Sequence, residues 1–241
     1  MWLDDVFVPW ERMFLVDPSP ELIARWLFWH QLYCWLAKAE FTLGLALACT
    51  HAVGLMSHGT TIDYLLDLIT DVQTVRSCQV AAERDPQFTS AGYCYPNQCH
   101  LAAGSIAMLK ARPRMSEMLR IIPGSSLIVA PTDRDLAAPE MAAGFEESFA
   151  GGGYTATQRA ALLQLAWDHV SSALDGRESA FELHANGGLQ SWRGRLRRGF
   201  ADYNELANAV LRQLSIAMPN IDLSSIPAAP LAPRRVVEVR S

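Results

Sequence analysis

Residues 21–56 read ELIARWLFWHQLYCWLAKAEFTLGLALACTHAVGLM, and this run decides the fold class. It holds no proline, and apolar residues recur on nearly every turn. Leu22, Trp26, Trp29, Tyr33, Leu36, Ala37 and Phe41 keep the i, i+3, i+4, i+7 spacing of one helical face. A helix of this length runs about 50 Å at 1.5 Å per residue. Ser19 stands as its N-cap and Pro20 at its first helical position. The second half is apolar almost all round, which predicts burial on several sides. Its most apolar part, residues 41–57, falls short of the roughly 20 residues that a bilayer span needs. Lys38 and Glu40 flank that part and His51 lies within it, so it reads as a core helix with no membrane role.

Outward from this run, Ser57-His58-Gly59 interrupts the pattern, and Thr60 or Thr61 caps a second helix ending near Arg84. Its stripe is Ile62, Leu65, Leu66, Ile69, Val72, Val75 and Val80. Residues 87–98 form an aromatic, irregular loop. A third helix covers 99–111, and Pro113 opens a short continuation to Ile122. Residues 124–139 are a long connector. Gly151-Gly152-Gly153 has no lysine after it and no strand before it, so it reads as a flexible hinge and not a phosphate loop. A fourth long helix follows over 155–186, striped by Leu162, Leu165, Ala166, His169, Val170, Ala173 and Phe181, and closed by Gly187-Gly188. A fifth spans 191–217. The chain thus divides into an extended lead-in (1–17), a helical bundle (18–217) and a proline-rich arm (218–241). The reading is all-α, a bundle of long helices.

Composition narrows function only by exclusion. Half the residues are hydrophobic and 19% are charged, which excludes general disorder. A net charge of −5 argues against nucleic acid as a partner. The opening MWLDD has neither a cationic start nor an apolar run, so a cytoplasmic location is expected. Cys34, Cys49, Cys78, Cys94 and Cys99 are then expected to be reduced. Cys94, Cys99 and His100 form the one local cluster, and no second pair answers it as zinc would require. Glu178 and Glu182 sit one turn apart on a face that could ligate a metal. Glu182-Leu183-His184 nevertheless lacks the spacing of a di-metal bundle, so no metal is expected. His30 and His169 are candidates for acid–base work because an imidazole titrates near pH 6.5; each could equally be a core histidine. Arg193, Arg195, Arg197 and Arg198 form a basic run suited to a solvated face, a subunit contact or a phosphate.

The segment from Ala166 to Arg177, AWDHVSSALDGR, resembles the AWD…S-x-F-G-x-R stretch of the 4-hydroxyphenylacetate 3-hydroxylase family of flavin-dependent monooxygenases. VFVPWERMFL (Val6 to Leu15), Gly44-Leu45-Ala46, GYCYPN (Gly92 to Asn97) and APTDRDL with Pro139-Glu140 resemble further pieces of that family, in order. The resemblance implies the C-terminal bundle of an acyl-CoA dehydrogenase-like flavoenzyme. It also implies an aromatic hydroxylase that uses reduced FAD and O2. It places cofactor contacts on Ser172, Ala173, Leu174 and Asp175, with Arg177 beside them. The residues that handle the phenol belong to an N-terminal half absent here, so a companion polypeptide is implied. The family's bundles meet at the centre of tetramers, which implies a homodimer or homotetramer. The family's Phe-Gly is Leu174-Asp175 in this chain. A carboxylate beside a pyrophosphate repels it, so weak or absent FAD binding by this chain alone is expected. The related dehydratases hold an iron–sulfur cluster through His-x6-Cys. Here Ala37 stands seven residues after His30, which argues against a cluster. Two other readings stay open. One is a free-standing bundle that lost flavin and acts as a cyclase, dehydratase or isomerase on a small aromatic or polyketide-like molecule in biosynthesis. The other is a non-catalytic scaffold.

Overall fold

A computed structural model describes residues 4–13, 20–184, 187–200 and 203–216, with side chains in the first long helix from residue 25 onward. The helices are α1 (Pro20–Ala52), α2 (Gly59–Arg84), α3 (Gln98–Ile121), α4 (Asp133–Leu136), α5 (Pro139–Phe149), α6 (Ala156–Ser171), α7 (Ala173–His184), α8 (Gly188–Gly199) and α9 (Tyr203–Leu211). A two-residue hairpin, β1 (Gln87–Phe88) with β2 (Cys94–Tyr95), orders what reads in sequence as an irregular loop. The expected all-α bundle is present. Of the lead-in, residues 4–13 are described; they hold one 3-10 turn at Trp10–Arg12, and Phe7 and Trp10 stand exposed. The proline-rich arm and the Ser19 cap lie outside the described residues.

The core forms where α1, α2, α3, α6 and α8 pack on one another. Phe28, Leu32, Trp35, Leu68, Leu119 and Trp192 lie within it. Most of the stripe expected on α1 faces outward: Trp26, Trp29, Tyr33, Ala37 and Phe41 are exposed, whereas Leu36 of that stripe is buried together with Phe28, Leu32, Trp35, Ala39, Ala46 and Cys49. A helix apolar on most sides carries no directional signal, so its spacing could not choose the face. The segment Arg25–Ala52 is also longer than the 41–57 stretch suggests, and is apolar enough to cross a membrane by length and composition. Here it serves as a core helix, packed by α2, α3 and α6.

Local chemistry explains the other departures. Asn97 caps α3, its Oδ1 accepting from the amides of Cys99 (2.9 Å) and His100 (3.4 Å). Pro113 lies inside a continuous α3 instead of starting a new helix; it forfeits one backbone bond, and flanking helices hold the axis. The expected connector contains α4, closed by a Thr132–Asp135 capping box. Gly151-Gly152-Gly153 is a packed turn and not a hinge. Gly151 pairs with Tyr154, and a Cβ on Gly152 would stand 2.6 Å from the His51 carbonyl at the end of α1. The fifth helix divides into α8 and α9, with Phe200 extended at the C-cap of α8.

Candidate functional site at the start of α7

The fourth long helix is two helices, and the break falls on Ser172. Its backbone is extended (φ −86°, ψ 169°). The Ser172 hydroxyl donates to the Asp168 carbonyl (2.7 Å) and accepts from the amides of Leu174 (3.2 Å) and Asp175 (3.4 Å). Ser172 therefore ends α6 and caps α7, an alternative hydrogen-bonding route that serine offers the backbone. The stripe assigned across the break holds on α6, where Ala166 and Val170 are buried and Leu162 packs on the core, though Leu165 is exposed, and is lost beyond Ser172, where Ala173 and Phe181 are exposed.

The inward face of α7 buries Asp175 and Glu182. Arg120 donates to Asp175 at 3.2 Å and to the Val170 carbonyl at 2.6 Å; Arg112 lies 4.0 Å from Asp175. Glu182 takes Lys38 and Arg112, each at 2.5 Å, and Lys38 also reaches Glu178 at 2.9 Å. Three cations thus face three carboxylates. The Lys38 hydrogen bond holds the Glu178 carboxyl below its ordinary value. Burial acts to lower the Lys38 pKa, but the hydrogen bonds to Glu182 and Glu178 outweigh it and raise the net value. These ion pairs occupy the two glutamates that might have served a metal. Asp175 lines the inward side of α7, where two guanidinium groups answer the charge from which repulsion of a phosphate was expected.

A cleft of about 430 Å³ opens between α7 and the second half of α3, with Trp35 of α1 at its wall. The Trp35 indole N–H is buried and finds no acceptor. Outside this cleft, His169 bonds Thr42 through Nε2 at 2.8 Å, and the Thr42 hydroxyl donates to the Lys38 carbonyl at 2.9 Å. A hydroxyl has one proton, so His169 Nε2 is assigned as the donor. Burial, then the Arg112 charge, holds the His169 pKa below its ordinary value. His169 is accordingly a hydrogen-bonded, half-buried histidine. His30 sits about 18 Å away along α1, twelve residues before Thr42. It is exposed, with its Nε2 3.6 Å from the Cys34 sulfur. The two candidate histidines do not meet.

Of the expected cofactor contacts, Ser172, Ala173 and Leu174 gather at the α7 start. Arg177 lies a turn further on, exposed and without an ion pair among the described residues. A helix N-terminus, an open first amide at Ala173, a hydroxyl and an unpaired guanidinium suit an anionic phosphate. Lys38, Arg112 and Arg120 escape a sequence reading. Arg112 does leave a trace there, a charge four residues after Met108 and three before Met115 on an apolar face.

The class defined by these features is the long-helix bundle of the acyl-CoA dehydrogenase-like fold, with a turn at Ser172 between two of its helices. Residues 23–214 match the sequence profile described as 4-hydroxyphenylacetate 3-hydroxylase C terminal. The chain belongs to that family. It is 28% identical over 189 residues to the 4-hydroxyphenylacetate 3-monooxygenase oxygenase component of Geobacillus sp. (strain PA-9), covering 75% of this chain and 38% of that relative. The chain therefore spans well under half the length of the curated relatives it matches. Among solved structures, a 4-hydroxyphenylacetate 3-monooxygenase oxygenase component complexed with FAD and 4-hydroxyphenylacetate superposes with TM-score 0.79 at 25% identity. That superposition covers 88% of this chain and 46% of the other. An archaeal 4-hydroxybutyryl-CoA dehydratase from N. maritimus shares the fold, with TM-score 0.77 at 17% identity over 90% of this chain.

Proposed function

We propose that this chain is the C-terminal helical half of an oxygenase that hydroxylates a small aromatic substrate with reduced FAD and O2. Family membership sets the class, and the α6–α7 break is the observation that carries the reading. The amide of Ala173, the Ser172 hydroxyl and the Arg177 guanidinium would hold a phosphate-bearing part of FAD. When bound, reduced FAD supplies the electrons for oxygen activation. The chain's own residues bind and orient. An N-terminal half, on the same or a companion polypeptide, then provides the rest of the site, and the enzyme works in the cytoplasm. The exposed aromatic face of α1, with Trp26, Trp29, Tyr33 and Phe41, supports assembly as a homodimer or homotetramer.

FAD fluorescence titration tests the reading. The chain alone should bind with a dissociation constant well above 1 µM, weaker than about −8.2 kcal/mol. Binding should strengthen when the N-terminal half of a relative is supplied. Arg177→Ala should cost about 1.5–3 kcal/mol of that binding, the worth of a charged hydrogen bond. Its melting temperature should stay at the wild-type value, because Arg177 pairs with nothing described. No strengthening by the N-terminal half, or binding indifferent to Arg177, would overturn the proposal.

A further inference from the structure

The run Arg193, Arg195, Arg197, Arg198 plays no part in the α7 site, and the fold divides it. Arg195 stacks over Phe28, its guanidinium carbon 3.8 Å from the ring centroid, and so belongs to the core. Arg193 and Arg197 lie one turn apart on α8 and line a separate cleft of about 760 Å³ against the first turns of α3. Neither makes an ion pair or hydrogen bond among the described residues, and the Arg197 Nε is buried without a partner. A buried N–H left unpaired costs about 1–3 kcal/mol, and an anion in the cleft would relieve that cost.

The rest of the cleft favours a particular kind of anion. The Asp85 carboxylate lines it but is already engaged. It accepts from Asn97 Nδ2 at 2.8 Å and lies 3.3 Å from His100 Nε2. The two guanidinium groups therefore outnumber the one carboxylate. Phe200 and Tyr203 form an aromatic wall, their ring centroids 6.5 Å apart and their planes 35° apart. His100 stands twelve residues, about 18 Å along α3, from the Arg112 of the α7 cluster.

We propose that the α3–α8 cleft is a second ligand site, which takes a small organic anion with a flat apolar body. The anionic head sits between Arg193 and Arg197, where two planar donor forks match a phosphate or carboxylate. The body lies against Phe200 and Tyr203. The site is independent of the FAD reading and uses none of its residues.

Calorimetric titration of the full chain with phenyl phosphate and with benzoate tests this, and the two arms separate phosphate from carboxylate heads. At least one probe should bind with a dissociation constant below about 1 mM. Phenol should not bind, and inorganic phosphate should bind more weakly than phenyl phosphate. Arg193→Ala and Arg197→Leu should each weaken the probe at least about tenfold, as loss of a charged hydrogen bond does. Arg193 is exposed, so its variant decides the matter even if Arg197→Leu fails to fold. Arg134→Ala, on the distant α4, should bind as wild type. No saturable binding of either probe would overturn the proposal. So would binding that survives Arg193→Ala, or a loss produced instead by Arg177→Ala, which would put the probe at α7.

Discussion

Glu182→Leu is the sharpest perturbation of the α7 cluster. The Glu182 side chain is 8% exposed and carries two ion pairs at 2.5 Å, to Lys38 and to Arg112. Each is a charge-assisted hydrogen bond worth about 1.5–3 kcal/mol. The substitution does not strand both cations fully. Lys38 retains Glu178 at 2.9 Å, and Arg112 retains Asp175 at 4.0 Å. The net loss should therefore be about 2–4 kcal/mol, at or below the 3–5 kcal/mol for an unpaired buried charge. A domain of this size shifts by about 2–4 °C per kcal/mol, so the melting temperature should fall on the order of 5–15 °C. Urea unfolding followed by far-UV circular dichroism would show the midpoint falling at constant slope. The triple variant Lys38→Met, Arg112→Leu, Glu182→Leu should regain most of the loss, since apolar replacement of a whole buried cluster is often neutral. A Glu182→Leu protein within about 0.5 kcal/mol of wild type would place it with ordinary surface substitutions and refute the reasoning.

Three further outcomes follow from the same contacts. Stability should be flat between about pH 6.5 and 9 and fall on either side, measured as urea midpoint against pH. Below 6.5 the unfolded chain protonates His169 before the folded one does, and below 4.5 the Glu178 contribution drains away. Above 9 the unfolded chain ionises Cys49 and Cys78 while burial keeps both protonated in the fold, and above 10.5 the contribution of the raised Lys38 is lost as pH passes through its folded value. Thiol labelling of the native protein should modify Cys34 and Cys94 first and Cys49 last, because burial raises the Cys49 pKa to about 11. Mass spectrometry of a timed reaction reads the order, and early modification of Cys49 would contradict the packing of α1. Gly152→Ala should lower stability by at least about 1 kcal/mol, since it adds a Cβ against the His51 carbonyl at a φ of 62°. A wild-type melting curve would show the triple-glycine turn to be loose after all.

Element type was readable in the sequence, whereas facing was not. The long proline-free run made α1 inevitable, but Trp26 and Phe41 turned outward while Phe28 and Trp35 turned inward, because no polar stripe marked a direction. The break at Ser172 was hidden because serine is tolerated within a helix. Only its bonds to Asp168, Leu174 and Asp175 show it acting as a cap. The pairing of Asp175 was hidden for a related reason. Its charge is visible in the sequence, but the arginines that answer it come from α3, more than fifty residues earlier. Ser172 and Arg177 became candidates through family resemblance, and the cleft between α3 and α8 came to light only through the fold.

The attachment of α7 has a consequence for how the molecule answers its solvent. Its two buried residues are both acids, while Leu174, Phe181 and Leu183 point outward. The rest of the bundle is held by apolar burial, which weakens on cooling and is strengthened by excluded salts such as sulfate. Ion pairs that reach the surface, as Lys38 and Arg120 do, weaken as mobile ions screen them. One chain thus contains two adhesives with opposite responses to ionic strength. Added salt loosens the helix that presents Ser172 and Arg177 and leaves α1 and α3 clasped, so amide exchange in α7 quickens while the core stays protected. The turn at Ser172 is, in this sense, governed by the electrolyte around it.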